Sequence, residues 1–453
     1  PHRLREGYGL NMNAIDQLVE GGTQVLVTVD NGSSANAEIE RAQAGGVDVI
    51  IIDHHQVSDP EPQAYAHLNP HRIGCPYPSK GLAAVGLAFM LLVQIRRVLR
   101  DAPFFSGPDP RPDRLLDLVA LGTVADVAPL QDINRALVRY GVDLIKRSPR
   151  TGMAALLEVA KKVPGELTAR DLGYRLGPRI NAAGRLDDAT RGLRLLIGDD
   201  PVSSRDLALQ IEEQNKERQV IQAQMMDEAM AMIEADSAYG DASAIVLAGE
   251  SWHPGVVGIV AARIVDTYHK PAIVLALDGG LLKGSARSTQ DVNIKKALDR
   301  CANRLMRYGG HVAAAGMTLL PSHLDDFRAE LCSAVDEVRH GPAGLPALKV
   351  DAHVQVDELS FEFIDGLEDM GPFGHMNPQP VFVSRANQGR TRILRGGHLK
   401  VFFDGAADAM EGLAWNMEAC ADWWQEGLVD MVYTPTIETW RGRKKIVLRI
   451  QDM

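Results

Sequence analysis

Apolar and polar positions near the start of the chain switch between a helical and a strand period. Asn13 to Glu20 reads as a short helix closed by Gly21-Gly22, and Gln24 to Val29 as a β-branched strand ending at Asp30-Asn31-Gly32. Ser33 or Ser34 can cap a helix through Ala44, which Gly45-Gly46 terminates. The run from Val47 to Ile52, dense in Val and Ile, reads as a strand buried on both faces. This order predicts two parallel strands joined by a right-handed crossover, with both carboxyl ends at one edge of the sheet. Open α/β sheets bind ligands at that edge. Asp30 stands at the end of the first strand and Asp53-His54-His55 at the end of the second.

Further along, Gln56 to Lys80 is rich in Pro and turn formers and reads as a long surface loop. Gly81 to Arg100 reads as a helix with an apolar face, and Leu115 to Leu121 as a second apolar helix leading into Gly122-Thr123-Val124-Ala125-Asp126-Val127-Ala128-Pro129-Leu130. Arg205 to Ala235 holds no Gly or Pro and keeps Leu207, Ile211, Ile221, Met225 and Ile233 at near-helical spacing, which predicts one long helix linking domains. A second α/β unit follows, with strands at Ala244 to Ala248 and Pro271 to Leu277 around a helix from Ile259 to Tyr268. Gly341 to Leu348 reads as a linker. Beyond it, short alternating segments at Val350 to Val356, Pro380 to Val383, Leu399 to Phe403, Asp430 to Thr434 and Lys445 to Ile450 suggest a small β-barrel. The predicted class is α/β: a parallel-sheet domain over 1–200, a connecting helix over 201–236, a second α/β domain over 237–340 and a barrel over 346–453.

Chemistry gathers at particular points of this frame. Asp and His at a strand end are hard and borderline metal ligands, although an isolated Asp53 reads equally as a helix cap. Asp126 is a charge among Val and Ala, costly unless paired or coordinated, which makes it a further ligand candidate. Small residues between Arg179 and Arg185 would let backbone approach a phosphate, a group that arginine suits. Lys283 to Ser288, with Ser285 and Arg287, and Gly309-Gly310-His311 opening an Ala-rich helix, read as phosphate cradles of backbone N–H and guanidinium, although a glycine turn taken alone is more often just a turn. In the barrel, Arg385, Arg390, Arg392, Arg395 and Lys400, with Arg441, Arg443, Lys444 and Lys445 beside Trp440, give the basic and aromatic mixture of a single-strand binder.

Composition narrows the picture. A hydrophobic content of 45% and charged content of 24% over 453 residues are those of a globular protein. The longest apolar stretch, Leu82 to Val93, falls short of the roughly 18 residues of a membrane span. Cys75, Cys301, Cys332 and Cys420 are scattered, which indicates neither a disulfide framework nor a Cys-x-x-Cys zinc site and fits a cytoplasmic protein. A net charge of -11 argues against a uniformly basic nucleic-acid coat and leaves room for a local basic channel.

Taken together, Val27-Thr28-Val29-Asp30-Asn31-Gly32, Asp53-His54-His55, Leu121-Gly122-Thr123-Val124-Ala125-Asp126-Val127 and Gly309-Gly310-His311 resemble the DHH phosphoesterases. The likeness is greatest to the bacterial 5′-to-3′ exonucleases of that superfamily that digest single-stranded DNA. It extends over essentially all 453 residues, including Gly7-Tyr8-Gly9-Leu10, the stretch from Gly177 to Leu186 and Gly371-Pro372-Phe373-Gly374. The resemblance implies a DHH domain, a long connecting helix, a DHH-associated domain and an OB-fold. It implies hydrolysis of phosphodiester bonds in DNA repair and recombination with Mn²⁺ or Mg²⁺ at a two-metal site. Asp30, His54 and Asp126 match metal-ligand positions; Asp53 and His55 complete the motif as catalytic residues, with His55 near the scissile phosphate. Arg185, Ser285 and Arg287 match contacts to a 5′ phosphate or the adjacent backbone, and His311 another backbone contact. The implied partners are single-stranded DNA, a single-strand-binding protein and a helicase, and the implied state is a monomer.

The chain departs from that pattern once. The family's first motif, a strand ending in Asp-x-Asp upstream of the Gly-Tyr-Gly-Leu segment, has no counterpart in the sequence, which begins Pro1-His2-Arg3 without a Met. The expectation is a chain cut from something longer, with little nuclease activity as it stands. Two rivals follow: an oligoribonuclease or small-nucleotide phosphodiesterase, which would not need a basic aromatic barrel, and a catalytically dead nucleic-acid-binding scaffold. An Asp-x-Asp upstream of Pro1 would separate the enzyme from the scaffold.

Overall fold

A computed structural model describes the chain except residues 1–8, 102–103, 105–106, 108, 187, 342–346, 387–388, 404–409, 427–428 and 441. Most of the expected linker falls among these excepted residues. Strand β1 (Val25–Val29), helix α1 (Asn36–Ala44) and strand β2 (Asp48–Ile52) form the expected crossover, with β1 and β2 parallel and Val29 opposite Ile52. The segment expected as loop supplies a third parallel strand, β3 (Ala66–Leu68), beside β2, giving the order β1-β2-β3. Val49, Ile51 and Ile52 are buried, whereas Val25, Val27 and Val29 on the edge strand β1 are each about half exposed.

Helix α2 (Ala84–Asp101) and helix α3 (Leu116–Ala125) follow, then α4 (Asp132–Arg147). The α3 helix runs four residues beyond its expected end, because Gly122 and Thr123 sit against Val85 and in the core rather than breaking the turn. Gly141 of α4 lies so close to α3 that an added Cβ would meet the Leu116 carbonyl oxygen at 2.1 Å. Helix α5 (Gly177–Leu186) precedes the long helix α6 (Pro201–Ala235), whose Asp200 cap accepts a hydrogen bond from Ser203 N at 2.8 Å. Its buried positions Ala208, Ile211, Asn215, Arg218, Met225, Ala229 and Ile233 recur at three, four or seven residues, as one buried stripe requires.

The second α/β unit comprises β4 (Ile245–Gly249), α7 (Val257–Tyr268), β5 (Ala272–Asp278), β6 (Leu281–Arg287), β7 (Arg307–Gly310), β8 (Ala314–Leu319) and helix α8 (Leu324–Val338). Its sheet, ordered β4-β5-β6-β8-β7, is parallel only between β4 and β5. Two expectations fail here. Gly309-Gly310-His311 does not open a helix but turns the β7–β8 hairpin, with Gly310 at φ +150° and His311 N donating to Ala314 O at 2.8 Å. Lys283 to Arg287 lies inside β6, so its backbone is committed to β5 and β8 and only side chains can meet a ligand.

The C-terminal sheet runs in the order β11 (Gly389–Leu394), β12 (His398–Phe403), β13 (Met410–Ala414), β15 (Arg443–Asp452), β14 (Val429–Trp440), β10 (Phe382–Ala386) and β9 (Ala352–His353). It closes on a core that includes Leu399, Val401, Trp424, Met431, Tyr433, Leu448 and Ile450. Contacts divide the chain into two compact units: residues 1–15, 150–163 and 176–346, and residues 16–149, 164–175 and 347–453. The first sheet and the C-terminal sheet thus share a unit. Within it Leu130 N donates to His375 O at 2.8 Å, and Gln131 Nε2 to Met376 O at 2.9 Å.

Candidate metal centre and nucleic-acid interface

Parallel pairing puts Asp30 and Asp53 side by side: Asp30 N donates to Ile52 O at 2.9 Å, and Asp53 N to Leu68 O at 3.0 Å. Asp30 adopts φ +66°, a left-handed conformation that Asp tolerates better than most residues and that turns the chain sharply out of β1. Gly32 is required two residues later, since at φ +115° a Cβ would stand 2.8 Å from Thr28 Oγ1. Asp53 is 1% exposed and accepts four hydrogen bonds, from Ser33 N (3.0 Å), His54 N (2.8 Å), His55 N (3.2 Å) and His55 Nδ1 (2.7 Å). Burial would raise its carboxyl, but these bonds outweigh it and hold the group below the usual carboxylate range.

His54 is the hub. Its Nε2 stands 3.2 Å from Asp30 Oδ1 and 3.5 Å from Asp126 Oδ2, yet this buried nitrogen makes no aligned hydrogen bond. Asp126 stands at the carboxyl end of α3, where the helix dipole disfavours a carboxylate, and burial pushes its carboxyl above the ordinary range. Burial lowers the His54 imidazole, but the Asp30 and Asp126 carboxylates prevail and raise it. One ligand atom each from Asp30, His54 and His55 lies within 4.8 Å of the others. Two carboxylates converging on one unaligned imidazole nitrogen, in a place the helix dipole penalises, are what a divalent cation would reconcile. The donor set, oxygen with imidazole, suits Mn²⁺ or Mg²⁺.

Three residues of this site escaped sequence reasoning. Ser33, read as a helix cap, makes no cap hydrogen bond to α1 and instead holds Asp53. His67 and Asn69, placed in a surface loop, are buried at and just after β3. The Asn69-Pro70 step was the available signal.

The second α/β unit brings other groups together. An added Cβ at Gly258, in the first turn of α7, would lie 3.0 Å from Ser285 Oγ and 3.1 Å from an Arg287 guanidinium nitrogen. Arg287 donates to Ser285 Oγ at 2.9 Å. Helix N-terminus, hydroxyl and guanidinium therefore meet there, the makings of an anion site. Gly258 allows that approach and was missed in the sequence; Gly255 instead packs against Arg185, whose carbonyl oxygen an added Cβ would meet at 2.3 Å. Arg185 donates to Gly255 O at 3.1 Å, and Arg179 pairs with Glu212 of α6 at 2.6 Å. Gly309 and His311 are exposed on the β7–β8 hairpin.

Strand register sorts the C-terminal cations. Arg390, Arg392, Lys400, Phe402, Glu411, Arg443 and Lys445 alternate onto one face, opposite the buried Leu399, Val401, Ile446 and Leu448. Lys444 falls on the other side. Lys400 and Lys445 both pair with Glu411, the former at 2.6 Å, while Arg392 and Arg443 are exposed. Arg385 pairs with Asp430. The Trp440 side chain lies outside the described residues.

Comparison with known proteins identifies the family. Residues 2–123 match the model of the DHH family, N-terminal domain; residues 241–337 match the DHHA1 domain, and residues 350–452 the RecJ OB domain. The first two define the class as a DHH phosphoesterase. Over its whole length the chain is 38% identical to the single-stranded-DNA-specific exonuclease RecJ of Salmonella typhimurium and 37% to that of Escherichia coli, covering 81% of each. Against the Bacillus subtilis protein it is 36% identical and covers 56%. The RecJ of Thermus thermophilus in complex with Mn²⁺ superposes with a TM-score of 0.84 at 29% identity, over 98% of this chain and 63% of that one. Its Mg²⁺ complex gives 0.72 at 25%, over 97% and 69%. The chain belongs to the RecJ family.

Proposed function

We propose that this chain carries the metal centre and the single-strand-binding surface of a 5′-to-3′ exonuclease for single-stranded DNA, working in DNA repair and recombination. The observation that carries this is the convergence of Asp30 and Asp126 on the buried, unaligned Nε2 of His54, beside Asp53 and His55. Asp30, His54 and Asp126 would hold Mn²⁺ or Mg²⁺. Bound there, the ion supplies an activated water and neutralises charge on the phosphodiester. Asp53 fixes the His55 ring through Nδ1, and that bond raises the imidazole above its ordinary pKa. His55 thus keeps its proton to higher pH and can donate at Nε2 to a phosphate oxygen. Ser285, Arg287 and the N-terminus of α7 would take a 5′ phosphate, with Arg179, Arg185, Gly309, Gly310 and His311 as further backbone contacts. Arg392 and Arg443, with Lys400, Lys445 and Trp440, would hold single strand on the OB face.

The domain division that accompanies this proposal is DHH over 1–200, connecting helix over 201–236, DHH-associated domain over 237–340 and OB-fold over 346–453. It further takes the protein as a cytoplasmic monomer, with a single-strand-binding protein and a helicase as partners; among the described residues no helix is long and apolar enough to cross a membrane. The 453 residues contain no Asp-x-Asp, so digestion is best assayed in the natural full-length protein. End-labelled single strands with Mn²⁺ should shorten from the 5′ end, and Asp126→Ala should abolish this while leaving DNA binding largely intact. Metal-dependent turnover by that variant would refute the assignment. Hydrolysis confined to dinucleotides would instead favour a small-substrate phosphodiesterase.

A further inference from the structure

Behind the metal centre, a chain of buried side chains ties together the loops that leave three parallel strands. Asn69, one residue past β3 and 4% exposed, donates one amide hydrogen to His55 O at 2.8 Å and the other to Ser33 Oγ at 2.8 Å. Its Oδ1 accepts from His71 N at 2.8 Å, so both donors and one lone pair of the amide are used. Ser33 comes from the loop after β1 and His55 from the loop after β2. One amide therefore spans all three strand ends.

The network continues to His67. Ser33 Oγ lies 3.0 Å from His67 Nε2, and His67 Nδ1 lies 2.9 Å from Glu61 Oε1, a carboxylate that Arg72 holds in turn. A carboxylate only accepts, so Nδ1 carries a proton. Burial lowers the His67 imidazole, so the ring is neutral and its Nε2 accepts; the Ser33 hydroxyl, which accepts from Asn69, donates its own proton there. This order of Glu, His and Ser is that of an acyl-transfer triad, but Ser33 is 1% exposed and no substrate reaches it. What the array holds is Asp53. Ser33 N donates to Asp53 Oδ2, while Asp53 Oδ1 holds the His55 ring.

We infer that Asn69 is a positioning residue: with Ser33 and His67 behind it, it keeps the Asp53–His55 pair in the orientation the reaction needs. A ring free to turn would spend most of its time misplaced, and a misplacement of about 1 Å can cost roughly 10²-fold in rate. The inference rests on the nuclease proposal for its consequence, not for its geometry.

The test is Asn69→Ala in the full-length protein, read in two ways. Long-range ¹H–¹⁵N spectra of ¹⁵N-histidine-labelled protein should show His67 as a single Nδ1–H tautomer and His55 with Nδ1 protonated in the wild type. In Asn69→Ala His67 should keep that tautomer, since Glu61 still accepts from its Nδ1, whereas the His55 signals should shift and broaden as the ring loses its single orientation. Digestion of single strand should lose about 10–100-fold in kcat with KM within about twofold, the cost typical of removing a group that orients a site residue. Unchanged His55 signals with unchanged kcat in a folded Asn69→Ala protein would overturn the inference. If Asn69→Ala does not fold, Ser33→Ala keeps the N–H on Asp53 and removes only the hydroxyl. It should broaden the His55 signals and lower kcat several-fold, and wild-type behaviour of both would equally overturn the inference. His55 signals that respond in a protein with no nuclease activity would sink the nuclease proposal and leave the network standing.

Discussion

Asp53→Asn isolates the most heavily bonded group of the site. The wild-type carboxylate accepts three hydrogen bonds at Oδ1 and one at Oδ2, and it is buried. An asparagine can keep its oxygen toward His54 N, His55 N and His55 Nδ1, but its amide then faces the Ser33 N–H, donor against donor. One buried unsatisfied donor costs about 1–3 kcal/mol, and three bonds lose their charge assistance. The smaller desolvation cost of a neutral amide offsets part of this, leaving about 2 kcal/mol. For a unit of 150–250 residues that lowers Tm by about 4–8 °C, readable by calorimetry at neutral pH. The pH dependence follows from the sign of the shift. The folded-state pKa of Asp53 is depressed, so its contribution is present above the unfolded value near 3.8 and is lost as pH falls from there through the folded value. The Tm gap between wild type and variant should therefore persist from pH 7 to about pH 4 and close only below it. A gap that closes between pH 7 and pH 5, or that is absent at pH 7, would refute the reasoning.

Other consequences follow from packing and charge. Glu411→Gln releases Lys400 and Lys445, so single-stranded DNA should bind more tightly at low salt, with a log K against log [salt] slope steeper by about 0.7 for each additional phosphate neutralised; an unchanged slope would count against that face. Arg392→Ala with Arg443→Ala should flatten the slope, whereas Lys444→Ala, on the opposite side of β15, should leave it alone. Gly141→Ala would press a methyl group onto the Leu116 carbonyl and the Ala120 Cβ, costing about 1–3 kcal/mol or more. A Tm within a degree of wild type would show that α3 and α4 can part freely.

Much of this architecture is written in local pattern, and the failures share a cause. The β1-α1-β2 crossover could be read because β-branched runs and glycine pairs mark its ends, and α6 because its apolar period is long. The β3 strand could not: Ala66-His67-Leu68 has no period of its own and becomes a strand only by pairing with β2. The Ala313-Ala314-Ala315 run favours a helix locally, but pairing of β8 with β6 and β7 overrides that preference. At the candidate site, the residue types of Asp30, His54 and Asp126 and their places at strand and helix ends were legible. Ser33 was not, because a serine after a turn looks like a cap until its distant partner, Asp53, is in place. Glu411 was passed over for the same reason, since its two lysines lie on other strands.

The central claim is that Asp30, His54 and Asp126 form one divalent-metal site. Mn²⁺ titration of wild type and His54→Ala, followed by the loss of the free-ion electron paramagnetic resonance signal, tests it without need of turnover. A site in the wild type that weakens by more than about 100-fold in His54→Ala, with Tm in the absence of metal little changed, is the predicted result. Equal Mn²⁺ affinity in the two proteins would contradict it.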